Sequence, residues 1–358
     1  MATDPRITKQ AETIVEHSVK AKKSDNVTIV SEYEGKPLVK EIYRLLVQKG
    51  ISSIKWDLVD EDLDIIYYKY SSKGQRQVFP KVSYYSIKNC DCFIRIFAPS
   101  NLKAMSQIDP TKISERIKTL KLINDWRVNK TKWVISVFPT NSLAQEAGMS
   151  LSDYEDFVFS SINDVYWDSL KEKQAKIKKL LDKTKLVKIV NKDTNLTFNI
   201  EGRKAESCLG QFNMPDGEVF TSVKENSVNG FITFSFPAIY LGREFEKVRL
   251  EFKNGKVVKA TSSKNEIDLN KILDTDRGAR YIGEFGIGTN IKIQKFTKEI
   301  LFDEKIGGTI HLALGKGYKE TLSKNISSIH WDMICDLRTG GALSFDDKLV
   351  QLGGKWKI

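Results

Sequence analysis

Residues 27–48, VTIVSEYEGKPLVKEIYRLLVQ, place an apolar β-rich run directly before an amphipathic helical stretch. The run Val27–Val30 is rich in β-branched residues, and Pro37 stands where the first turn of a helix tolerates proline. Apolar residues then recur with a period of about 3.6 as far as Gln48, which predicts a helix that packs on one face. A strand followed by a crossover helix is the unit from which parallel sheets are built.

The same alternation of short strands and amphipathic helices continues through the N-terminal half. Further strands are predicted at Ile54–Trp56, Cys92–Phe97 and Trp133–Phe138, with a helix at Thr111–Asp125. No GxGxxG follows the first strand and no GxxxxGK[ST] occurs, so the phosphate-binding signatures of nucleotide folds are absent. We expect an α/β domain with a mainly parallel sheet and no nucleotide chemistry.

Around Lys185 the sequence changes to short strands, glycines and turns. The stretch 186–206, LVKIVNKDTNLTFNIEGRKAE, reads as a strand, a turn at Asn191–Asn195 and a second strand. Because 358 residues exceed the roughly 100–200 of one ordinary domain, two domains are expected. We therefore predict an N-terminal α/β domain at 1–185 and an α+β catalytic domain at 186–358, with a mixed or antiparallel sheet.

The composition favours a cytoplasmic enzyme without a membrane partner. Apolar residues make up 41% of the chain, no run reaches the roughly 18–20 residues that span a bilayer, and the start lacks the apolar core of a secretory signal. Four cysteines show no framework spacing and are predicted to be reduced: Cys90, Cys92, Cys208 and Cys335. The alternative that Cys90 and Cys92 begin a metal site lacks a second pair or a nearby histidine.

The formal charge of +11 raises the possibility of a nucleic-acid partner. The densest basic stretch, 171–188, carries Ile177, Leu180 and Leu181 at helical spacing, so its lysines are expected to form one solvated face. We therefore expect no nucleic-acid partner. Abundant Lys, Glu and Ile fit a thermophilic source.

Two of the three histidines lie in the last fifty residues, each in a strand-like context. In SSIHWDMICDL, at 327–337, the alternation of a strand puts His330 and Asp332 on one face, side by side. Two donors at this spacing can share one ion, whereas on a helix they would diverge by about 200°. Taken alone, the pair is equally compatible with the solvated face of an edge strand.

The second histidine repeats this geometry. In GGTIHLALG the face of His311 also carries Thr309 and Ala313, whose small side chains leave room for an ion and a substrate. Glu218 follows a turn in NMPDGEVF, and Glu284 lies in GEFGIGTN, where glycines at 283, 286 and 288 are expected to let the backbone approach a ligand. Either glutamate alone would more often be a surface carboxylate.

Together, two histidines and three carboxylates are enough for a pair of divalent ions about 3.5–4 Å apart. Because the set needs no cysteine, Zn, Co or Mn fits better than a metal that prefers thiolates. The candidate metal ligands are Glu218, Glu284, His311, His330 and Asp332.

Several longer motifs accompany these residues: FPTNSLAQEAGMSLSDYEDFVF at 138–159, TNLTFNIEGRK, NMPDGEVFT, GEFGIGTN, IHLALG and NISSIHWDMICDL. In them the sequence resembles the thermophilic-type dinuclear metallo-aminopeptidases, the leucyl aminopeptidase T and aminopeptidase S group, over almost its whole length. The five positions that match the metal ligands of this family are the five candidates above. The resemblance also implies a catalytic tyrosine, Tyr318 in GKGYKET, although the connection from Tyr318 to Asn325 is shorter than in the family. It further implies a homodimer with an enclosed site for short peptides.

The function expected from this resemblance is hydrolysis of N-terminal peptide bonds by a water that two metal ions activate. Tyr318 would stabilise the oxyanion, and Glu218 or Glu284 would carry the proton. The alternative is a mononuclear non-haem iron dioxygenase, for which His311, His330 and Asp332 alone would form the facial triad. The presence of both glutamates argues against it. A non-catalytic binding protein on the same scaffold is a third hypothesis, which the complete ligand set disfavours.

Overall fold

The computed structural model describes residues 4–357. Helices and strands alternate in the first half of the chain, as the periodicity predicts. In chain order they are α1 (Pro5–Glu12), β1 (Val27–Glu32), α2 (Lys36–Gln48), β2 (Ile54–Val59), α3 (Glu61–Tyr70), α4 (Lys73–Gln77), α5 (Lys81–Lys88), β3 (Cys92–Phe97), α6 (Pro110–Lys130), β4 (Lys132–Val137), α7 (Asn141–Glu146), α8 (Leu151–Asn163) and α9 (Trp167–Leu181).

Strands dominate the remainder of the chain. They are β5 (Leu186–Asn191), β6 (Thr194–Asn199), β7 (Ala205–Cys208), β8 (Asn213–Met214), β9 (Glu218–Thr221), β10 (Asn229–Thr233), β11 (Ala238–Tyr240), β12 (Arg243–Phe245), β13 (Arg249–Lys253), β14 (Lys256–Thr261), β15 (Ile282–Gly288), β16 (Thr309–Gly315), β17 (His330–Asp336), β18 (Ala342–Phe345), β19 (Lys348–Leu352) and β20 (Lys355–Trp356). Two short helices, α10 (Glu266–Leu273) and α11 (Ile300–Asp303), interrupt them.

The chain divides into two compact units. The first unit comprises the chain up to Asp164 together with the later segment Gly210–Pro215. The second comprises Val165–Leu209 and the chain from Asp216 onward. By contact, α9 therefore belongs to the second unit, because it packs on β7 and β9. The change in sequence pattern near Leu186 marks the point where helix gives way to strand. It does not show which unit the preceding helix packs against. The division into an N-terminal α/β domain at 1–185 and a C-terminal catalytic domain at 186–358 stays a prediction.

The first unit contains a five-stranded sheet in the order β2-β1-β3-β4-β8, in which every pair is parallel. The structure confirms the four predicted strands, at Val27–Val30, Ile54–Trp56, Cys92–Phe97 and Trp133–Phe138. Each is followed by a helical segment, as the βαβ pattern requires. Several helices begin at a side-chain cap: Asp109 accepts a hydrogen bond from the Thr111 amide, 2.8 Å away, at the start of α6. Such caps satisfy amides that have no partner within the helix.

The second unit is antiparallel, which confirms the predicted contrast between the two halves. An eight-stranded sheet has the order β14-β13-β10-β6-β5-β18-β19-β20, a five-stranded sheet has the order β17-β16-β15-β9-β7, and β11 pairs with β12. Aromatic contacts link these sheets in one core: the rings of Phe198 and Phe285 are 5.1 Å apart, and those of Phe245 and Trp331 are 4.9 Å apart. Helix α9 buries Ile177 and Leu181 and exposes most of its lysines, as expected.

All four cysteines are free thiols, in agreement with the sequence. Within residues 4–357 we find no helix that is long and apolar enough to cross a membrane.

Trp331 tests how far the second unit depends on this aromatic core. Its side chain is 2% exposed and contacts Phe245 and Tyr240, so Trp331→Ala removes a large buried volume. We expect a loss of about 3–5 kcal/mol in the free energy of unfolding, measured by denaturant titration. Ile267→Ala, at a position 74% exposed, is the control and should change the free energy by less than about 0.5 kcal/mol. Equal effects of the two substitutions would contradict the assignment of Trp331 to the core.

Candidate metal centre

One face of the five-stranded antiparallel sheet carries all five predicted ligands. Strand β9 contributes Glu218, β15 contributes Glu284, β16 contributes His311, and β17 contributes His330 and Asp332. Because side chains alternate along a strand, the residues between them point to the other face, where Leu312, Trp331 and Met333 enter the core. The period of two thus separates the polar set from the core over four adjacent strands.

Strand register brings these side chains together. Ala313 lies between Glu284 on one neighbouring strand and Asp332 on the other, while Gly286 lies opposite His311. Glu218, the first residue of β9, pairs with Gly288, the last residue of β15. Each candidate ligand has a glycine or alanine as its partner on one neighbouring strand, whereas Ile334 and Cys208 lie on the other side of His311 and Glu218, respectively. The small partners leave room for the longer side chains to converge. The small residues that were expected beside His311 are found there.

The atoms of the candidate ligands lie within a few ångströms of their nearest partners. The Nε2 atom of His311 is 3.1 Å from Oε2 of Glu218 and 3.4 Å from Oε1 of Glu284. The Nε2 atom of His330 is 3.3 Å from Oδ2 of Asp332. The Nδ1 atom of His330 donates a hydrogen bond to the carbonyl of Lys316 at 2.7 Å, which leaves Nε2 available as a ligand atom.

Gly286 makes the space that His311 occupies. A Cβ atom at this position would lie 2.0 Å from Nε2 of His311, far closer than atoms can approach. The sequence had suggested that glycines 283, 286 and 288 let the backbone approach a ligand. The glycines do permit a close approach, but the approaching atoms belong to the protein and not to a ligand. They are the Gly315 carbonyl beside Gly283, the His311 ring beside Gly286 and the Ile306 carbonyl beside Gly288.

The donor set fits a divalent metal ion. Oε2 of Glu284 and Oδ1 of Asp332 are buried and accept no hydrogen bond from the described residues, while the buried Oε2 of Glu218 faces the His311 ring nitrogen at 3.1 Å. Buried carboxylate oxygens without a partner are costly, and a cation is the partner that satisfies them. Three groups have ligand atoms that all lie within 4.8 Å of one another: Glu284, His311 and Asp332; Glu218, Glu304 and His311; Cys208, Asp216 and Glu218.

The charges of this cluster shift the pKa values of its members. Burial alone would lower the pKa of His311, but hydrogen bonds to Glu218 and Glu284 outweigh it and raise the pKa well above its ordinary value. Burial would also lower the pKa of His330, but the charge of Asp332 and its hydrogen bond to His330 outweigh burial and raise this pKa to about 10. Burial raises the pKa of Glu284. Protons and metal ions therefore compete for the imidazoles, since a histidine must lose its proton to ligate.

Three further charged residues of the centre were missed by the sequence reasoning: Asp216, Glu304 and Lys305. The Lys305 ammonium is fully buried and lies 2.5 Å from Oε1 of Glu218, 2.5 Å from Oε1 of Glu304 and 3.8 Å from Oδ1 of Asp216. Burial would raise the pKa of Glu218, but the charges of Lys305 and His311 lower it to about 2. The sequence held one indication of Glu304 and Lys305: the segment FDEKIGG, at 302–308, places both directly before the strand that carries His311.

Tyr318 lies beside the ligands on the connection between β16 and β17. Its ring is 5.2 Å from the ring of His330 and 5.6 Å from that of Phe220. Burial and the nearby carboxylates raise the pKa of Tyr318, so its hydroxyl keeps its proton. The side chain of Asn325 holds the end of this short connection through hydrogen bonds to two backbone carbonyls, those of Gly278 and Gly315.

Comparison with protein families places the chain in a known family. The model of the thermophilic metalloprotease (M29) family matches residues 3–352. The chain belongs to this family. Membership agrees with the resemblance seen in the sequence motifs, and it gives no support to the iron dioxygenase alternative.

Two aminopeptidases match along most of the chain. Aminopeptidase 2 of Geobacillus stearothermophilus is 25% identical over 90% of this chain and 86% of its own length. Aminopeptidase AmpS of Bacillus subtilis (strain 168) is 23% identical over 86% of this chain and 83% of its own length. The solved structure of wild-type AmpT from Thermus thermophilus has a TM-score of 0.86, with 20% identity and complete coverage of both chains. This M29 chain therefore has the fold of AmpT.

Gly286→Ala tests whether His311 acts as a metal ligand. The added methyl group would displace the imidazole, so we expect the affinity for Zn²⁺ to fall by about 10- to 100-fold, measured by competition with a chromogenic chelator. Gly74→Ala is the matched control, because the nearest atom to its added carbon is 3.9 Å away. A variant at Gly286 that folds and binds Zn²⁺ like the wild type would exclude a role for His311.

Proposed function

We propose that the protein is a metal-dependent aminopeptidase that hydrolyses the N-terminal peptide bond of short peptides with the help of two divalent ions. The observation that carries this proposal is the set of buried carboxylates around His311, in which Oε2 of Glu284 and Oδ1 of Asp332 have no hydrogen-bond partner among the described residues. The relatives are aminopeptidases by name, which supports the choice of substrate class.

Glu218, Glu284, His311, His330 and Asp332 would hold the ions. Zn, Co and Mn are the candidates, because the ligand atoms are oxygen and imidazole nitrogen. When bound, the ions supply Lewis acidity, which polarises a peptide carbonyl and makes water a nucleophile near neutral pH. The side chains contribute position: four of the five are anchored on β15, β16 and β17, whose opposite face is locked in the core.

Tyr318 would donate a hydrogen bond from its hydroxyl to the carbonyl oxygen as negative charge develops there. A donor that meets charge mainly in the transition state raises turnover more than it raises substrate affinity. The raised pKa of Tyr318 suits this role, because the hydroxyl must carry its proton to donate.

Glu284 is better placed than Glu218 to carry the proton. One oxygen of Glu218 is committed to the Lys305 ammonium, whereas Oε2 of Glu284 has no hydrogen-bond partner among residues 4–357. Burial also raises the pKa of Glu284, which favours proton uptake. Glu218 would then serve as a ligand alone.

The setting proposed for this activity is the cytoplasm, with the protein as a homodimer. Both proposals follow the resemblance to the aminopeptidase T and aminopeptidase S group.

Hydrolysis of a leucyl dipeptide and of its N-acetylated form tests the proposed function. We expect cleavage of the free dipeptide only, because the activity is proposed to require a chain end with a free amine. Stripping divalent ions with a chelator should abolish the cleavage, and adding Zn²⁺, Co²⁺ or Mn²⁺ should restore it. Equal cleavage of both peptides would exclude an aminopeptidase, and full activity after verified removal of metal would exclude metal dependence.

Tyr318→Phe tests the oxyanion donor. Turnover should fall by about 10²–10³-fold while KM and metal content change little, because only the transition state loses a hydrogen bond. Tyr166→Phe, at a tyrosine that is 82% exposed, is the matched control. Unchanged turnover of the Tyr318 variant would place the oxyanion donor elsewhere.

A further inference from the structure

The candidate metal centre already contains one positive charge, the side-chain ammonium of Lys305. Lys305 is 0% exposed, and its ammonium lies 2.5 Å from both Glu218 and Glu304 and 3.8 Å from Asp216. Lysine is almost never fully buried unless it is paired, and here three carboxylates surround it. The ammonium therefore occupies the kind of carboxylate cage that a metal ion would otherwise take.

This cage overlaps two of the three groups that could hold a metal. Glu218 and Glu304 form one group with His311, and Asp216 and Glu218 belong to another. The ammonium uses Oε1 of Glu218, so a metal on this side would meet an oxygen already engaged.

The other side of the centre is free of such a competitor. The third group consists of Glu284, His311 and Asp332, and no Lys or Arg of the described chain pairs with these side chains. His330 adds a fourth donor through its contact with Asp332. The centre thus has an open half and a half that an ammonium fills.

Charge makes the two halves unequal for a divalent ion. In the open half, an ion meets carboxylates that have only imidazoles beside them. In the Lys305 half, an ion coordinated by Glu218 would lie next to the ammonium, and two cations this close repel each other strongly in a buried site. The second ion can therefore bind well only if the ammonium moves away.

We propose that Lys305 is a resident cation that takes the place of a metal ion on the Glu218 side of the centre. One divalent ion binds tightly through Glu284, His311, His330 and Asp332, and a second binds weakly because it must displace the ammonium. The inference rests on the proposed metal-dependent function and adds to it an order of metal binding. It also gives the ammonium a second role, which is to stabilise the three carboxylates of the cage when metal is scarce.

The test is a titration of chelator-stripped protein with Zn²⁺ by calorimetry, in the wild type and in Lys305→Met. For the wild type we expect two binding steps, the second weaker than the first by about 100-fold. Lys305→Met has a side chain of similar length without charge, so its second step should tighten by about tenfold or more, with the first step little changed. The stripped variant should unfold at a lower temperature than the stripped wild type, and Zn²⁺ should restore its stability.

Lys132→Met is the matched control. It removes a lysine that pairs with Asp25 at 2.6 Å in the first compact unit, and it should leave both Zn²⁺ steps unchanged. A Lys305 variant whose second step is unchanged or weaker would overturn the proposal, because the ammonium would then support the ligands instead of competing with the ion. A wild-type protein with two equal steps, or with no Zn²⁺ binding, would overturn it as well.

A second measurement on the wild type keeps the proposal falsifiable if the Lys305 variant does not fold. In protein labelled with ¹⁵N-lysine, the signal of the buried ammonium should survive the first equivalent of Zn²⁺ and change with the second. A change complete at the first equivalent would overturn the proposal. Peptide hydrolysis is measured separately: a protein that binds Zn²⁺ in two unequal steps but cleaves no peptide would refute the proposed function and leave the role of Lys305 standing.

Discussion

The constraint on which this centre depends is electrostatic, because five carboxylates lie close together with little access to water. They are Asp216, Glu218, Glu284, Glu304 and Asp332. Buried carboxylates repel one another and lose their hydration, so the fold must place positive charge among them. Lys305 supplies one such charge, and protonated imidazoles or metal ions can supply the rest. A chain that buries this cluster is committed to binding cations.

Packing on the opposite face of the same sheet controls the geometry of the cluster. Leu312, Trp331 and Met333 alternate with the candidate ligands of β16 and β17 and are buried in the core. A shift in register by one residue would exchange the two faces, burying charge and exposing apolar groups. The free energy that stabilises the second compact unit therefore also holds the ligand atoms in place. This coupling explains why metal ligands on strands can be positioned more accurately than ligands on loops.

Tyr318 is held by different means, since it lies on a connection without regular structure. Asn325 ties this connection to Gly278 and Gly315, and Asp276 accepts hydrogen bonds from Ser327 and the Ser328 amide. Such a connection positions its residues through specific hydrogen bonds. A short, pinned loop can therefore keep a tyrosine beside His330 even though the loop is shorter than the one expected from the family.

By itself, the sequence determined several helices and strands and the faces of the strands that carry the two C-terminal histidines, because both follow from local periodicity. Alternation in IHLAL and IHWDM was enough to put His311, His330 and Asp332 on polar faces, and the helical period was enough for Lys36–Gln48. The contacts of Lys305 could not be predicted in this way, because Glu218 is 87 residues distant and local patterns carry no information on strand order. The role of Gly286 was hidden for the same reason: the ring that fills its space comes from the neighbouring strand. Tertiary structure alone decided which charges face each other, since Coulomb interactions depend on distance in space and not on distance along the chain.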